Sequence, residues 1–368
     1  MRARRLARSF LSDRASGERL VEVVSSLCGV QAQRETAAEL QLAARIDGLT
    51  QADVREAVWE RRALVKAWTL RGTLHLHPAA ELPLWHAARR AALGSGSEGL
   101  PAWLGPGRVL HPALGAEEVE AVRAAVWEAL DGHCLSREEL TDAVVKRVGA
   151  APEARLRSGF AFFQSDLCQG PSRGSRITLV RPDQWIDGSW DVDEQEALRE
   201  VLRRFLRTYG PARPSDFAQW FGATGAAGAL FDELGAELEE IEVDGRRSFV
   251  LRSDRSFAAL RRPQVRLLPE YDVYVLGFRE REQLIPEAVR ELIAGHSRGK
   301  YEGPAATRLV LVDGIAAGLW ERHKRGRRIE LEVRLTRRLD KAARAELGRE
   351  AERIGAFLGL EPVLGDSR

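Results

Sequence analysis

The sequence predicts an α+β fold: three tandem winged-helix units followed by a small C-terminal β-barrel and a terminal helix. Three observations predict it. Two or three short helical segments, followed by a pair of strands joined by a turn, recur three times along the chain, and that order is the winged-helix plan. After Pro263 the texture turns to strands with few helices between them, as in a barrel or curled sheet. The last stretch, 340–358, reads as a helix. The chain divides on this plan into 1–93, 94–190, 191–262 and 263–368, and its 368 residues are enough to bury several cores without covalent help.

The N-terminal run "MRARRLARSFLSDRASGERL" is basic but has neither an apolar h-region nor a small-residue cleavage site, so it reads as an amphipathic helix and not as an export signal. Helices are expected over 17–27, 36–45 and 50–61. Gly29 suits the left-handed residue just past the first, and Thr36 with Glu39 reads as a capping box opening the second. "LVKAWTLRGTLHLHP" then supplies strand material broken at Gly72. In the second unit, 117–130 sets Val119, Val122, Val126 and Leu130 on one helical face. "SREELTDAVVKRV" begins with a capping box from Ser136 to Glu139, and "CQGPSRGSRITLV" is the wing, with Arg173 and Arg176 at its tip. The third unit opens with "EALREVLRRFLRTYG", where Leu198, Val201, Leu202, Phe205 and Leu206 share a face and Gly210 with Pro211 stops the helix. Short helices from Ser215 and Thr224 lead to "LEEIEVDGRRSFVL", a hairpin turning at Asp244-Gly245. The strands of the last region come from "VRLLPEYDVYVLG", "TRLVLVDG", "IAAGLWERHK" and "RRIELEVRL".

Composition narrows the class. Hydrophobic residues are 44% and charged residues 30%, which argues for a folded chain, and no uninterrupted apolar stretch is as long as a membrane span. Cys28, Cys134 and Cys168 are far apart and never in a C-x-x-C pair, so neither a disulfide framework nor a cysteine zinc site is expected. The net charge is only +2, so any case for nucleic acid rests on how charge is distributed. Arginine supplies nearly all the cations, and its planar fork suits phosphate, although G+C-rich coding produces the same skew. Each unit sets arginine near a turn: Arg71, Arg173 with Arg176, and Arg246 with Arg247. The densest cluster is "WERHKRGRRIE", where His323, Lys324, Arg325, Arg327 and Arg328 surround Gly326; a partner such as a phosphate backbone would reward their mutual repulsion, and the other reading is a solvated turn.

Two phosphate-loop look-alikes fail on context. "GSGSEG" at 94–99 has no strand before it and Pro101 after it, so it reads as a linker; "GHSRGK" at 295–300 is one residue short and runs into Tyr301. His75 and His77 can share a strand face, but nothing nominates a third ligand, and no metal or other cofactor is expected. The segment that asks for explanation is "GVQAQRETAAE" at 29–39. On an extended connector Gln31 and Gln33 would point the same way, whereas on a helix they would diverge; their other reading is as solvated residues or caps of neighbouring helices.

Taken together, "GVQAQ", "LVKAWTLRGTLHL", "YGPARPSDFAQWFG", "LLPEYDVYVLGFRER" and "LVDGIAAGLWERHKRGRR" resemble the AlkZ/YcaQ family of winged-helix DNA glycosylases, over nearly the whole chain. The resemblance implies tandem winged helices and a C-terminal β-barrel lining a concave, positively charged channel, and an activity that removes N-alkylated purines from DNA. It implies bulky adducts and natural-product interstrand crosslinks as substrates of the AlkZ branch. The family's catalytic pair is Gln-Φ-Gln in that branch and Gln-Φ-Asp in the YcaQ branch; the matching residues are Gln31, Ala32 and Gln33, so Gln31 and Gln33 are the implied catalytic pair. The expected DNA contacts are Lys66, Arg71, Thr73, His75, Arg173, Arg176, His323, Lys324, Arg325, Arg327 and Arg328. The expected partner is double-stranded DNA carrying alkylated purines, bound by a monomer in the cytoplasm at the nucleoid, with no membrane.

Neutral side chains suit that chemistry. A purine alkylated at N7 already carries positive charge and leaves without an enzyme acid, so what the developing sugar cation needs is a positioned water. An amide carbonyl can hold one near C1′ but is a poor proton acceptor, which restricts the pair to labile, cationic bases. A non-catalytic winged-helix DNA-binding regulator is the alternative, and a small-molecule enzyme using the channel as a cleft is a third reading.

Overall fold

The computed structural model describes residues 1–93, 102–104, 110–158, 166–222, 225, 227–255, 264–296 and 303–365. They are a mixture of helices and β-sheets that clusters into two units, Met1–Glu56 with Leu202–Arg368, and Ala57–Val201.

In the unit 57–201 the strands Leu64–Trp68 and Leu74–Pro78 pair antiparallel, Cys168–Arg173 lies beside the first of them, and Arg176–Val180 and then Leu135–Ser136 follow. Alternating turn residues permit this: Gly72 and Gly174 take φ of 67° and 63° at the two hairpin turns, a region where a Cβ would be strained. The helical face read from the valines is buried as expected. Val119, Val122, Val126 and Leu130 from helix Ala116–Ala129 and its end pack with Leu140 and Val144 of helix Arg137–Val148. The second helix starts with the expected capping box: the Glu139 N–H donates to Ser136 Oγ at 3.3 Å and the Ser136 N–H donates to Glu139 Oε2 at 2.7 Å.

The other unit holds a five-stranded sheet in the order Val265–Leu268, Leu309–Val312, Ile315–Arg325, Arg328–Leu335 and Glu361–Gly365. The first four are antiparallel neighbours; the first two are separated in sequence by a segment that includes helices Val273–Leu276 and Glu287–Gly295, and the next two connections are turns. The last pairs parallel to Arg328–Leu335, which requires a crossover, and helix Lys341–Leu358 is that crossover. Asp340 Oδ1 caps it by accepting the Ala343 N–H at 2.8 Å, and Gly359 ends it at φ 64°. Leu6 and Leu11 from the N-terminal segment pack with Leu268, Tyr274, Leu309, Leu311 and Leu319. Leu202, Phe205 and Leu206 of helix Glu194–Tyr209 are buried, and Phe205 meets Phe217 and Trp220 of helix Pro214–Phe221 at centroid distances of 5.4 and 4.8 Å. The Asp244-Gly245 hairpin forms with φ of 52° and 72°, both positive as a tight two-residue turn of this kind demands.

Two expectations fail locally. Thr36 and Glu39 do not cap a helix, because the helix is Glu35–Ala43 and Glu39 is spent elsewhere, accepting from Arg55 Nε at 2.8 Å and Gln51 Nε2 at 2.7 Å. The reciprocal cap belongs to the next helix, where the Asp53 N–H donates to Thr50 Oγ1 at 3.2 Å and the Thr50 N–H donates to Asp53 Oδ2 at 2.7 Å. The run "VRLLPEYDVYVLG" is strand only over Val265–Leu268; Asp272 then caps a one-turn helix, Val273–Leu276, by accepting the Tyr274 N–H at 2.8 Å. A short apolar run does not by itself distinguish strand from helix, and the cap decides it. The helix expected from Thr224 is Ala227–Glu233, and 223 and 224 lie outside the described residues, as do "GSGSEG" and the last four residues of "GHSRGK".

Arg45 and Asp272 are fully buried and doubly bonded, at 2.9 and 2.6 Å. Removing one partner strands a buried charge, so Asp272→Ala should lower unfolding free energy by about 3–5 kcal/mol in urea titrations; a loss under about 1 kcal/mol would contradict the pairing. His75 and His86 are buried too. Burial, assisted by Arg71 for His75 and by Arg90 and Arg89 for His86, lowers both pKa values to about 3. Their ordinary pKa is near 6.5, so an unfolded chain takes up protons that the folded one refuses: the stability they contribute is complete above about pH 6.5 and drains as pH falls toward 3. The urea midpoint should therefore drop between pH 7 and 4, less steeply in His86→Phe than in the native protein.

Candidate active site: a connector held from both sides

Helix Leu20–Ser26 ends in two successive left-handed residues, Cys28 at φ 61° and Gly29 at φ 91°. They turn the chain into a short extended piece, Val30–Gln31, before Gln33 and Arg34 bend it into helix Glu35–Ala43. Carbonyls left over at the end of the first helix are satisfied by side chains from Glu194–Tyr209: Thr208 Oγ1 donates to the Ser26 carbonyl at 2.5 Å and Tyr209 Oη to the Leu27 carbonyl at 2.8 Å.

The far side is tied by Gln41. Its Nε2 donates to the Gln31 carbonyl at 3.1 Å, and its Oε1 accepts the Val273 N–H, also at 3.1 Å. Arg45 Nη1 donates to the Gln41 backbone carbonyl at 2.8 Å, and Arg45 is itself locked on Asp272, whose Oδ1 caps the helix that begins with Val273. Gln41, Arg45 and Asp272 have no exposed surface, so water does not compete for these bonds.

Held this way, Gln31 is 5% exposed and Ala32 1%, while Gln33 is exposed. The Gln31 backbone carbonyl is used, yet its side-chain oxygen, Oε1, is buried with no hydrogen-bond partner among the described residues. Buried polar atoms are nearly always bonded, so this oxygen is an acceptor left over by the fold, as are Oε1 of Gln169 and of Gln264. A neutral acceptor of fixed direction, next to an exposed second amide, can orient a water molecule without competing for its proton.

The expected DNA contacts fall into different environments. Lys66 is buried in strand Leu64–Trp68. Arg71 takes φ 53° in the turn after it, and Thr73 Oγ1 donates to the Leu70 carbonyl at 3.0 Å. His75 Nδ1–H donates to the Thr73 carbonyl at 2.9 Å and the ring is neutral, so it offers hydrogen bonds and no charge. Arg173 is paired with Glu139 at 2.6 Å and donates to the Cys134 carbonyl, while Arg176 is exposed.

The basic hairpin forms around Gly326, whose φ of 62° with Arg325 opposite Arg328 makes a two-residue turn. Glutamates answer some of its charge: Arg325 meets Glu330 at 3.4 Å, Arg328 meets Glu361 at 3.0 Å, and His323 lies 4.0 Å from Glu332. These pairs are more than half exposed on the basic side, worth little, and screened by salt. Lys324 and Arg327 are exposed and have no acidic partner among the described residues. Among the described residues no group of three or more His, Cys, Asp or Glu side chains is arranged to hold a metal ion, and no helix is long and apolar enough to cross a membrane.

The supporting residues Gln41, Arg45, Asp272, Thr208 and Tyr209 were not singled out as site residues from the sequence. Their signal was the clustering of the "YGPARP" and "LLPEYDVYVLG" motifs, which are distant in sequence and whose residues bond the connector or its scaffold. Comparisons with known proteins agree with this architecture. Residues 24–357 match the AlkZ-like DNA glycosylase family. An interstrand DNA cross-link repair glycosylase of Streptomyces sahachiroi is 31% identical over 333 residues, 86% of this chain and 85% of that protein. The solved structure of Streptomyces sahachiroi DNA glycosylase AlkZ superposes with a TM-score of 0.79 at 28% identity, covering 99% of this chain and 98% of that one. The clamped glutamine connector therefore stands in a chain that belongs to the AlkZ-like family and is a DNA glycosylase.

Proposed function

We propose that this enzyme hydrolyses the N-glycosidic bond of N7-alkylated purines, including bulky and crosslinked adducts, with Gln31 and Gln33 holding the attacking water. The observation that carries the reading is the buried, unbonded Oε1 of Gln31 on a backbone fixed by Gln41. Because both groups are amides, the reaction depends on a leaving base that is already cationic, so undamaged bases and uracil are not substrates. The cross-link repair glycosylase to which the chain is similar supports extending the substrate range to crosslinks. In this reading the chain is built of tandem winged helices over 1–93, 94–190 and 191–262 with a barrel after 263, and its site takes such lesions without the snug flipping pocket that would exclude them. Duplex DNA is then gripped by Arg71, Thr73, Arg173 and Arg176 and by the basic hairpin of His323, Lys324, Arg325, Arg327 and Arg328, while Lys66 and His75, which are buried, would reach it only if the strands that carry them shift on binding; the protein acts as a monomer at the nucleoid.

Base release from an N7-methylguanine duplex by the native protein tests the activity. Gln31→Ala and Gln33→Ala should each lower single-turnover release by about 10²- to 10³-fold, as loss of one preorganised contact does, with duplex affinity retained. Release unchanged in both variants would remove the amides from the mechanism. For the grip, Arg327→Ala with Arg328→Ala should reduce the slope of log K against log salt by up to about two, each phosphate contact contributing about 0.9. An unaltered slope would take the hairpin away from the phosphate backbone.

A further inference from the structure

The unit that carries the connector also carries a cleft of about 520 Å³, whose walls include Arg5, Tyr209, Arg213, Arg246, Phe278 and Glu280. Most of its charges answer one another. Asp216 accepts from the Arg213 backbone N–H at 2.9 Å and from its guanidinium at 3.0 and 3.1 Å, and Glu280 is shared between Arg213 at 2.9 Å and Arg246. Asp244 accepts from Gln283 Nε2.

Arg5 stands apart. Its guanidinium carbon lies 3.8 Å from the centroid of the Phe278 ring, its Nε is buried with no hydrogen-bond acceptor, and among the described residues it meets no carboxylate at ion-pair distance. The ring face offsets part of the charge but cannot serve five in-plane N–H donors. Burial also pulls the Arg5 pKa down, and Tyr274, Asp216 and Asp244, which act on it from beyond ion-pair distance, offset that only in part. An unpaired, desolvated guanidinium at the wall of an open cleft is a receptor for an oxyanion, and its planar fork matches phosphate.

We propose that this cleft seats one phosphate group anchored by Arg5. In the DNA complex that phosphate belongs to the strand backbone; this assignment of source, though not the seat itself, rests on the glycosylase reading. The rim arginines Arg213 and Arg246 can turn toward the same anion, because the Arg246–Glu280 pair is about half exposed and such pairs exchange readily. Tyr209, a wall of the cleft, donates to the Leu27 carbonyl at the foot of the connector. A strand held here is registered against the same scaffold that fixes Gln31, which is what phosphate contacts do.

Arg5→Met keeps an apolar stem over Phe278 and removes the charge. Two measurements are made on native and variant full-length protein: the salt dependence of duplex affinity, and the melting temperature in inorganic phosphate against chloride at equal ionic strength. The expected result is a slope shallower by about one, so that affinity between 50 and 200 mM salt falls about 3- to 4-fold less in the variant. An unchanged slope with a phosphate-induced rise in melting temperature in the native protein, absent in Arg5→Met, would place a free phosphate in the seat. Absence of both effects overturns the proposal. Should Arg5→Met fail to fold, Arg5→Gln and the native phosphate shift decide it, absence of both effects overturning the seat. Base release is scored separately, so an inactive native protein with the slope effect rejects the glycosylase chemistry and keeps the seat, whereas an active one without either effect does the reverse.

Discussion

The site depends on one buried side chain, Gln41, and on what holds it. A connector of a few residues between two helices has too few backbone bonds of its own to be rigid. Here the Gln31 carbonyl is bonded by Gln41, Gln41 is bonded by Val273 and Arg45, and Arg45 is bonded by Asp272, all without exposure to solvent. In a low-dielectric interior a chain of this kind, satisfied except for Arg45 Nε, disfavours other arrangements, since a slip strands a buried charge. The rigidity that the alanine of Gln-Ala-Gln cannot provide by bulk is supplied by the hydrogen bond from Gln41, which is itself held by Val273, 232 residues further along.

That rigidity matters because the chemistry is one of placement. In the proposed role of Gln31 and Gln33, amides neither protonate the leaving group nor take a proton strongly, so their contribution would come from holding a water where the sugar cation develops. A direction that wandered by an ångström would lose most of the effect. The same logic fits an orphaned amide oxygen: Gln31 Oε1 is unbonded while the backbone carbonyl of the same residue is held by Gln41, an arrangement that is costly for stability and leaves an acceptor free.

Charge is handled in the opposite way. The arginines number far more than the net charge of +2 suggests, because carboxylates sit beside many of them, as Glu139 does for Arg173 and Glu361 for Arg328. Exposed pairs are weak and exchangeable, so a surface of this kind remains soluble alone and can re-pair with a polyanion when one arrives. The cations with no acidic partner among the described residues are Lys324 and Arg327 on the basic hairpin and Arg5 in its cleft, and these are the ones proposed to meet the polyanion.

Much of this was legible in local pattern. The valine face of Ala116–Ala129, the Ser136–Glu139 cap, the Asp244-Gly245 and Gly326 turns and the terminal helix each follow from spacing and backbone preference within a few residues, which is the range over which sequence acts directly. The Gln-Ala-Gln motif and its family were legible for the same reason. What local pattern could not supply was the fate of Glu39, Asp272 and Gln41. Each has a plausible local role, as cap, strand residue or surface amide, and each was decided by a partner distant in sequence or on a neighbouring helix: Arg55, Arg45 and Val273. Only tertiary structure chooses among such roles, because the energy of a buried polar group is set by the donor that reaches it after folding and not by its neighbours along the chain.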